Sequence, residues 1–259
     1  MMLESMLLRE AGGFALVASR IGGFIVGSPF PGSYVSKTQR VGLVLVLGWV
    51  ATPIANFGKV PIGLNAGLVV SSILEIACGL AIGLTFRFVI SAGEVAGNAI
   101  AQSSGLNSAT VMNPGMAAPE TAIGRAINLF SMLLALTTGV HRLVLSYLLE
   151  SFRALPVGSD IHVAGTLPLF TALVQNSLVV GVRLALPVIA VSLVIQLTLA
   201  MIARAAPSLQ IFNVGLSILV LTTLIIMVNG VREVGSGVSA ELGTMGPHLD
   251  ALFTRMAGH

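Results

Sequence analysis

Residues Leu169–Ile202 read LFTALVQNSLVVGVRLALPVIAVSLVIQLTLAMI, a run with a single charge, Arg183, and a single proline, Pro187. A helix needs roughly 20 apolar residues to cross about 30 Å of hydrocarbon, and this run exceeds that. The proline is expected to kink the helix without ending it, because neighbouring groups in a membrane satisfy the freed carbonyl. The rest of the chain agrees with that reading. Of 259 residues, 55% are hydrophobic and only 9% are charged, against about a quarter charged in a soluble domain. Such a chain has too few charges to coat a water-facing surface, so it belongs to the membrane class.

Five further apolar runs stand at Ala11–Phe30, Val41–Ile54, Leu64–Ile90, Ala122–Leu149 and Ile211–Val231. They predict an all-α membrane protein of about six helical runs in one domain, without an internal repeat. Val41–Ile54 is short for a full span. The first run is stopped by Pro29-Phe30-Pro31-Gly32, where two prolines remove backbone donors. Glu150–Pro168 reads as a water-exposed link, Arg204–Gln210 as a tight polar turn, and the Gly-rich stretch from Arg232 as a short surface helix. The N-terminal stretch carries Glu4, Arg9, Glu10 and Arg20 among its apolar residues, unlike a cleaved leader, and is expected to stay on the protein. Lysines and arginines are too evenly spread for the positive-inside rule to orient the helices. The same spread excludes a nucleic-acid stripe, despite the net charge of +3. Cys78 is the only cysteine, which leaves no intrachain disulfide and no thiol cluster; it reads as a small buried residue.

Glu75, Arg87 and Arg183 lie in or at the ends of apolar runs, where a charge facing lipid costs about 2.5–3.5 kcal/mol. They are expected to face protein or water, as a proton relay or as packing partners at interfaces. Gly79 with Gly83, and Gly93 with Gly97, place two glycines on one helix face, as close helix packing requires. From Ser91 to Glu120 the chain is rich in Gly, Ala, Ser and Asn. It reads either as a re-entrant or pore-facing element or as an ordinary loop, with turn chemistry at Asn113-Pro114-Gly115. Enzyme chemistry finds no support, since no zinc-protease, nucleophile-elbow or phosphate-loop pattern is present. The four histidines are far apart, so no metal or other cofactor is expected, and His141 reads as a hydrogen-bonded structural residue.

Five short pieces in sequence order resemble the FliR family of the flagellar type III export gate, whose SctT-like counterparts serve virulence injectisomes. They are Ala18-Ser19-Arg20 with Ser28-Pro29-Phe30, Val35, Lys37, Arg40 and Gly42-Leu43; Glu75-Ile76 with Gly79, Gly83 and Ala92-Gly93-Glu94; Gly105-Leu106 with Ala109-Thr110 through Asn113-Pro114; Gly139-Val140-His141 with Ser151-Phe152 and Leu155-Pro156-Val157-Gly158; and Arg204-Ala205-Ala206-Pro207-Ser208-Leu209-Gln210-Ile211-Phe212 with Gly215. The resemblance implies bent helical hairpins packed into a hetero-oligomeric gate in the bacterial inner membrane, within the flagellar basal body. FliP-like and FliQ-like subunits and an FlhB-like protein are the implied partners, and unfolded export substrates the implied cargo. Residues 1–150 would correspond to a FliP-like part and 151–259 to a FliQ-like part. Gly105, Leu106, Val111, Met112, Asn113 and Pro114 would form a pore plug. Glu75, Arg87 and Arg183 would meet helix or subunit interfaces, and Arg204, Pro207, Gln210 and Phe212 would form a signature turn. The alternatives are the equivalent injectisome subunit and a stand-alone secondary transporter. For the transporter, broken helices speak in favour, and the missing internal symmetry against.

Overall fold

The computed structural model describes residues 2–29, 36–55, 66–104, 122–159, 161–205 and 211–257. Among these there is no β-strand. The helices are α1 (Met2–Gly27), α2 (Lys37–Ala51), α3 (Ala66–Ser103), α4 (Ala122–Thr137), α5 (Val140–Ala154), α6 (Leu167–Ala205), α7 (Ile211–Gly243) and α8 (Met245–Met256), with a short 3-10 turn at Val163–Thr166. Three helical stretches are long and apolar enough to cross a membrane, and a fourth if α4 and α5 count as one broken span. The protein is an all-α membrane protein.

Several boundaries differ from the sequence reading, each for a local reason. α1 starts at Met2, ahead of Ala11, because Met, Leu, Glu and Arg are good helix formers. α2 starts at Lys37, where the Ser36 hydroxyl accepts from the Gln39 N–H and the Gln39 side chain accepts from the Ser36 N–H. α3 runs on through Ser91–Ser103, so the first part of the supposed re-entrant segment is ordinary helix. The run Ala122–Leu149 breaks at Gly139, whose φ of 79° suits a residue without a Cβ. α6 continues through Pro187 as expected. α7 extends to Gly243 past the charges at Arg232 and Glu233, and the short terminal helix begins only at Met245.

The chain divides into two compact units. Unit 1 takes residues 1–89, 139–174 and 243–259; unit 2 takes 90–138 and 175–242. Each draws on both sequence halves.

In unit 1, α1 and α3 approach through reciprocal glycine pairs. A Cβ on Gly79 would overlap the Arg20 carbonyl, and one on Gly23 the Ile76 carbonyl. On Gly83 it would lie 2.6 Å from the Phe24 oxygen, and on Gly27 2.8 Å from the Leu80 oxygen. Two glycines four apart on each helix therefore let the backbones touch. α2 lays Gly48 against Phe14 and Ala18 of α1.

Unit 2 repeats the device. A Cβ on Gly93 would strike the Ser131 side chain, and one on Gly97 would lie 2.8 Å from the Gly124 Cα, so the end of α3 and α4 are antiparallel neighbours. Gly181 of α6 approaches the Ala92 carbonyl, and Ile100, Ile127, Ala185 and Val188 form the core. Both glycine pairs picked out in the sequence thus pack within the chain.

Gly79→Ala is expected to force α1 from α3 and lower the unfolding free energy in detergent by about 1–3 kcal/mol. Gly22→Ala meets nothing within 4 Å. It should be neutral or stabilise by up to about 1 kcal/mol through helix propensity, and thermal unfolding of the two variants side by side checks the contrast.

Candidate functional site

Arg20 sits on the inner face of α1, one turn from Leu16 and Phe24, and its side chain is wholly buried. A guanidinium offers five N–H donors and cannot lose its charge, so it must find acceptors where it lies. Its Nε donates to Glu75 Oε2 of α3 at 2.5 Å. Nη1 donates to the Ser151 carbonyl at 2.9 Å and more weakly to the Ser151 hydroxyl at 3.3 Å, and Nη2 to the Leu155 carbonyl at 3.0 Å. The guanidinium carbon also lies 4.6 Å from the centre of the Phe152 ring, within cation–π range.

The second carboxylate oxygen of Glu75 accepts the Gly158 N–H at 3.0 Å. That N–H is presented by a turn in which Gly158 takes φ 81° and the Ser159 N–H donates to the Pro156 carbonyl. Both oxygens of Glu75 and all three nitrogens of Arg20 are therefore engaged. The arrangement joins α1, α3, the end of α5 and the turn after it. The geometry is that of a clamp, with one ion pair tying distant parts of the chain together.

This clamp explains pieces of sequence that otherwise look unrelated. Arg20, Glu75, Ser151-Phe152 and Leu155-Pro156-Val157-Gly158 all belong to the short stretches that carry the family resemblance, and all meet here. It also corrects one expectation, because the link 150–168 is not simply water-exposed: Ser151, Phe152, Leu155 and Val157 are buried. The Ser151 carbonyl already accepts the Leu155 N–H at 2.9 Å and takes Arg20 as a second donor, while the Leu155 carbonyl, past the helix end, takes Nη2.

The other candidate residues are dispersed. Arg87 and Arg183 are exposed on the chain, and Arg183 lines a half-open cavity of about 540 Å³ in unit 2. Cys78 is buried, as its sequence context predicts. The buried Nδ1 of His141 has no hydrogen-bond partner among the described residues, contrary to the hydrogen-bonded role expected for it. Arg204 is exposed at the end of α6, and Phe212 lies in the first turn of α7. Pro207 and Gln210 lie outside the described residues.

Gly105, Leu106, Val111, Met112, Asn113 and Pro114 also lie outside the described residues, but the flanks of that stretch are clear. At its start the Ser104 hydroxyl donates to the Ile100 carbonyl at 2.8 Å, and the Gln196 side chain donates to the Ser103 carbonyl at 2.9 Å. At its end α4 begins beside α3. Neighbouring antiparallel helices are commonly joined by about 2–8 residues, and much longer connections tend to be functional. Residues 105–121 are far more than the join requires. Among the described residues, no three His, Cys, Asp or Glu side chains gather to hold a metal.

Comparison with known proteins gives these features a context. Residues 11–245 match the family described as Bacterial export proteins, family 1. The flagellar biosynthetic protein FliR of Caulobacter vibrioides is 29% identical over 219 residues, covering 80% of this chain and 87% of that one. FliR of Aquifex aeolicus is 31% identical over 209 residues, 80% and 81%. FliR of Escherichia coli K12 is 29% identical over 181 residues, 70% and 69%.

Removing one member of a buried pair leaves the other charge uncompensated, at about 3–5 kcal/mol. Arg20→Met should therefore sharply reduce the folded chain recovered from membranes. Arg20→Lys should fail to restore it, because a single ammonium cannot reach Glu75, Ser151 and Leu155 together; recovery at the wild-type level with Lys would show that charge alone suffices.

Proposed function

The chain belongs to the FliR family of bacterial export proteins, and on that premise we propose that it is the subunit that closes the flagellar type III export gate in the inner membrane. In this reading it sits in the basal body with FliP-like and FliQ-like subunits and an FlhB-like protein, and unfolded substrates pass the pore it helps to line. The observation that carries the reading is the match over residues 11–245 together with an apolar surface that one chain cannot cover by itself. Trp49 is 76% exposed, Met201 73% and Val228 73%.

Helix length supports a wall that continues beyond the lipid. α3, α6 and α7 contain 38, 39 and 33 residues, which rise about 57, 58 and 50 Å. Even a 40° tilt lengthens the path through 30 Å of hydrocarbon to only about 39 Å. Parts of all three helices must then be covered by protein or water, and sibling subunits of a gate would provide that cover. Residues 1–150 would take the FliP-like place in the ring and 151–259 the FliQ-like place, with the exposed Arg87 directed at a neighbour.

The stretch 105–119 is the proposed plug. It offers Val111 and Met112 as apolar seal, between the turn residues Gly105 and Asn113-Pro114. A flagellar assignment is preferred to an injectisome because the relatives carry flagellar names.

Tagged chain expressed with its genomic neighbours should draw FliP-like and FliQ-like subunits into a detergent-stable complex, and purification alone or as a homo-oligomer would refute the gate reading. Replacing residues 106–118 by a short Gly-Ser link should leave that complex intact and let small ions leak at rest. An intact complex with unchanged conductance would refute the plug.

A further inference from the structure

The cavity of unit 2 has a direction. Along the α6–α7 hairpin, Gly237 meets the Leu184 side chain and Gly215 meets Leu199, so the two helices run antiparallel in contact. Arg183 beside Leu184, and Glu233 one turn from Gly237, therefore both stand at one end of the cavity. Two turns along α7, Ile225 and Ile226 line the other end, and Ile226 packs on the core of Ile100, Ile127, Ala185 and Val188. The result is an elongated apolar slot with one cation and one anion at its mouth. Neither Arg183 nor the Glu233 carboxylate has a hydrogen-bond or ion-pair partner among the described residues.

The mouth also has a depth. Between Arg183 and Arg204 on α6 there is no charged residue, and none from Ile211 to Val231 on α7 before Arg232 and Glu233. The helix rises about 32 Å between Arg183 and Arg204, which matches the roughly 30 Å of a hydrocarbon core. Arg183 and Glu233 then lie at one membrane face and Arg204 at the other. The slot's charged mouth is at headgroup level, and its apolar end points toward the middle of the bilayer.

We infer that this slot holds one phospholipid with a primary ammonium headgroup, phosphatidylethanolamine. Its phosphate pairs with Arg183, its ammonium with Glu233, and one acyl chain lies along Phe130, Val188 and Ile226. An anionic lipid would satisfy Arg183 and repel Glu233. A choline lipid would present a quaternary nitrogen without N–H donors to the carboxylate. The inference rests on the membrane reading of the hairpin and not on the export role, whose failure would appear as lost partner co-purification with lipid retention unchanged.

The test uses the full chain co-expressed with its neighbours, purified in detergent and exposed to dioleoyl phosphatidylethanolamine, phosphatidylglycerol or phosphatidylcholine, with bound lipid counted by native mass spectrometry. One phosphatidylethanolamine per chain should be retained about tenfold more readily than either competitor. Arg183→Gln should lower retention of all three about tenfold, the effect of one lost charge-assisted hydrogen bond. Glu233→Gln should abolish the preference for ethanolamine over choline. A photoreactive group placed at position 226, with both charges native, should form an adduct with phospholipid. Phosphatidylglycerol bound as well as phosphatidylethanolamine, indifference to both charge variants, or an adduct with a partner protein in place of lipid would each overturn the assignment.

Discussion

A fully desolvated guanidinium is the constraint on which the rest of unit 1 depends. Arg20 cannot shed its charge, so every acceptor it needs must be delivered to a fixed place. Glu75 comes from α3, two carbonyls from the end of α5 and its turn, and a ring face from Phe152. Delivery of Glu75 requires α1 and α3 to lie closer than side chains would allow, which the reciprocal glycines at 23, 27, 79 and 83 permit. The glycines and the ion pair are thus two aspects of one contact. Gly158, at positive φ, turns its N–H onto the carboxylate and fixes the chain after α5. A buried pair of this kind adds little stability over a well-packed apolar core, but it penalises every arrangement in which the partners miss each other.

Unit 2 is built on different terms. Its contacts are glycine against glycine or hydroxyl, with a small apolar core; Glu241 is buried and accepts from the Asn176 side chain, while Arg183, Glu233 and Arg204 remain exposed. Those charges bracket a hydrocarbon-thick, charge-free hairpin. A surface this apolar has to be covered by lipid, by sibling helices, or by each along different parts of helices that are longer than a bilayer is thick. The slot beside Arg183 is where lipid cover can be argued residue by residue. The exposed face of α2 around Trp49 is where sibling cover fits a helix too short to span.

Much of this was legible in the sequence. Apolar runs mark the helices because backbone in lipid must satisfy its own hydrogen bonds, and runs of about 20 residues do so within one helix, whereas barrel strands are about half as long. Gly79-x3-Gly83 and Gly93-x3-Gly97 marked real contact faces, although their partners proved to be in the same chain. What the sequence leaves implicit is mostly a matter of distance along the chain. Arg20 looked like one member of a short motif, and nothing local joined it to Glu75 or to the Ser151–Gly158 stretch. Yet an arginine that is the one charge of its apolar run and a glutamate that is the one acid of another are natural partners, and that is the available signal. The segment from Ser91, rich in Gly, Ala, Ser and Asn, reads as a re-entrant element or a loop because glycine lowers helix propensity; the close packing of Gly93 and Gly97 outweighs that cost. The break at Gly139 was hidden inside an apolar run, where hydrophobicity continues although the backbone turns.

The central claim is that Arg20 and Glu75 meet inside the chain and hold α1 to α3, and a double-mutant cycle tests it most directly. Unfolding free energies of wild type, Arg20→Met, Glu75→Leu and the double variant, measured in one detergent system, give the coupling between the two side chains. The account predicts a coupling of at least about 2 kcal/mol, with the double variant much less destabilised than the sum of the singles. Additive effects, within about 0.5 kcal/mol, would mean that the two charges do not meet and would contradict it.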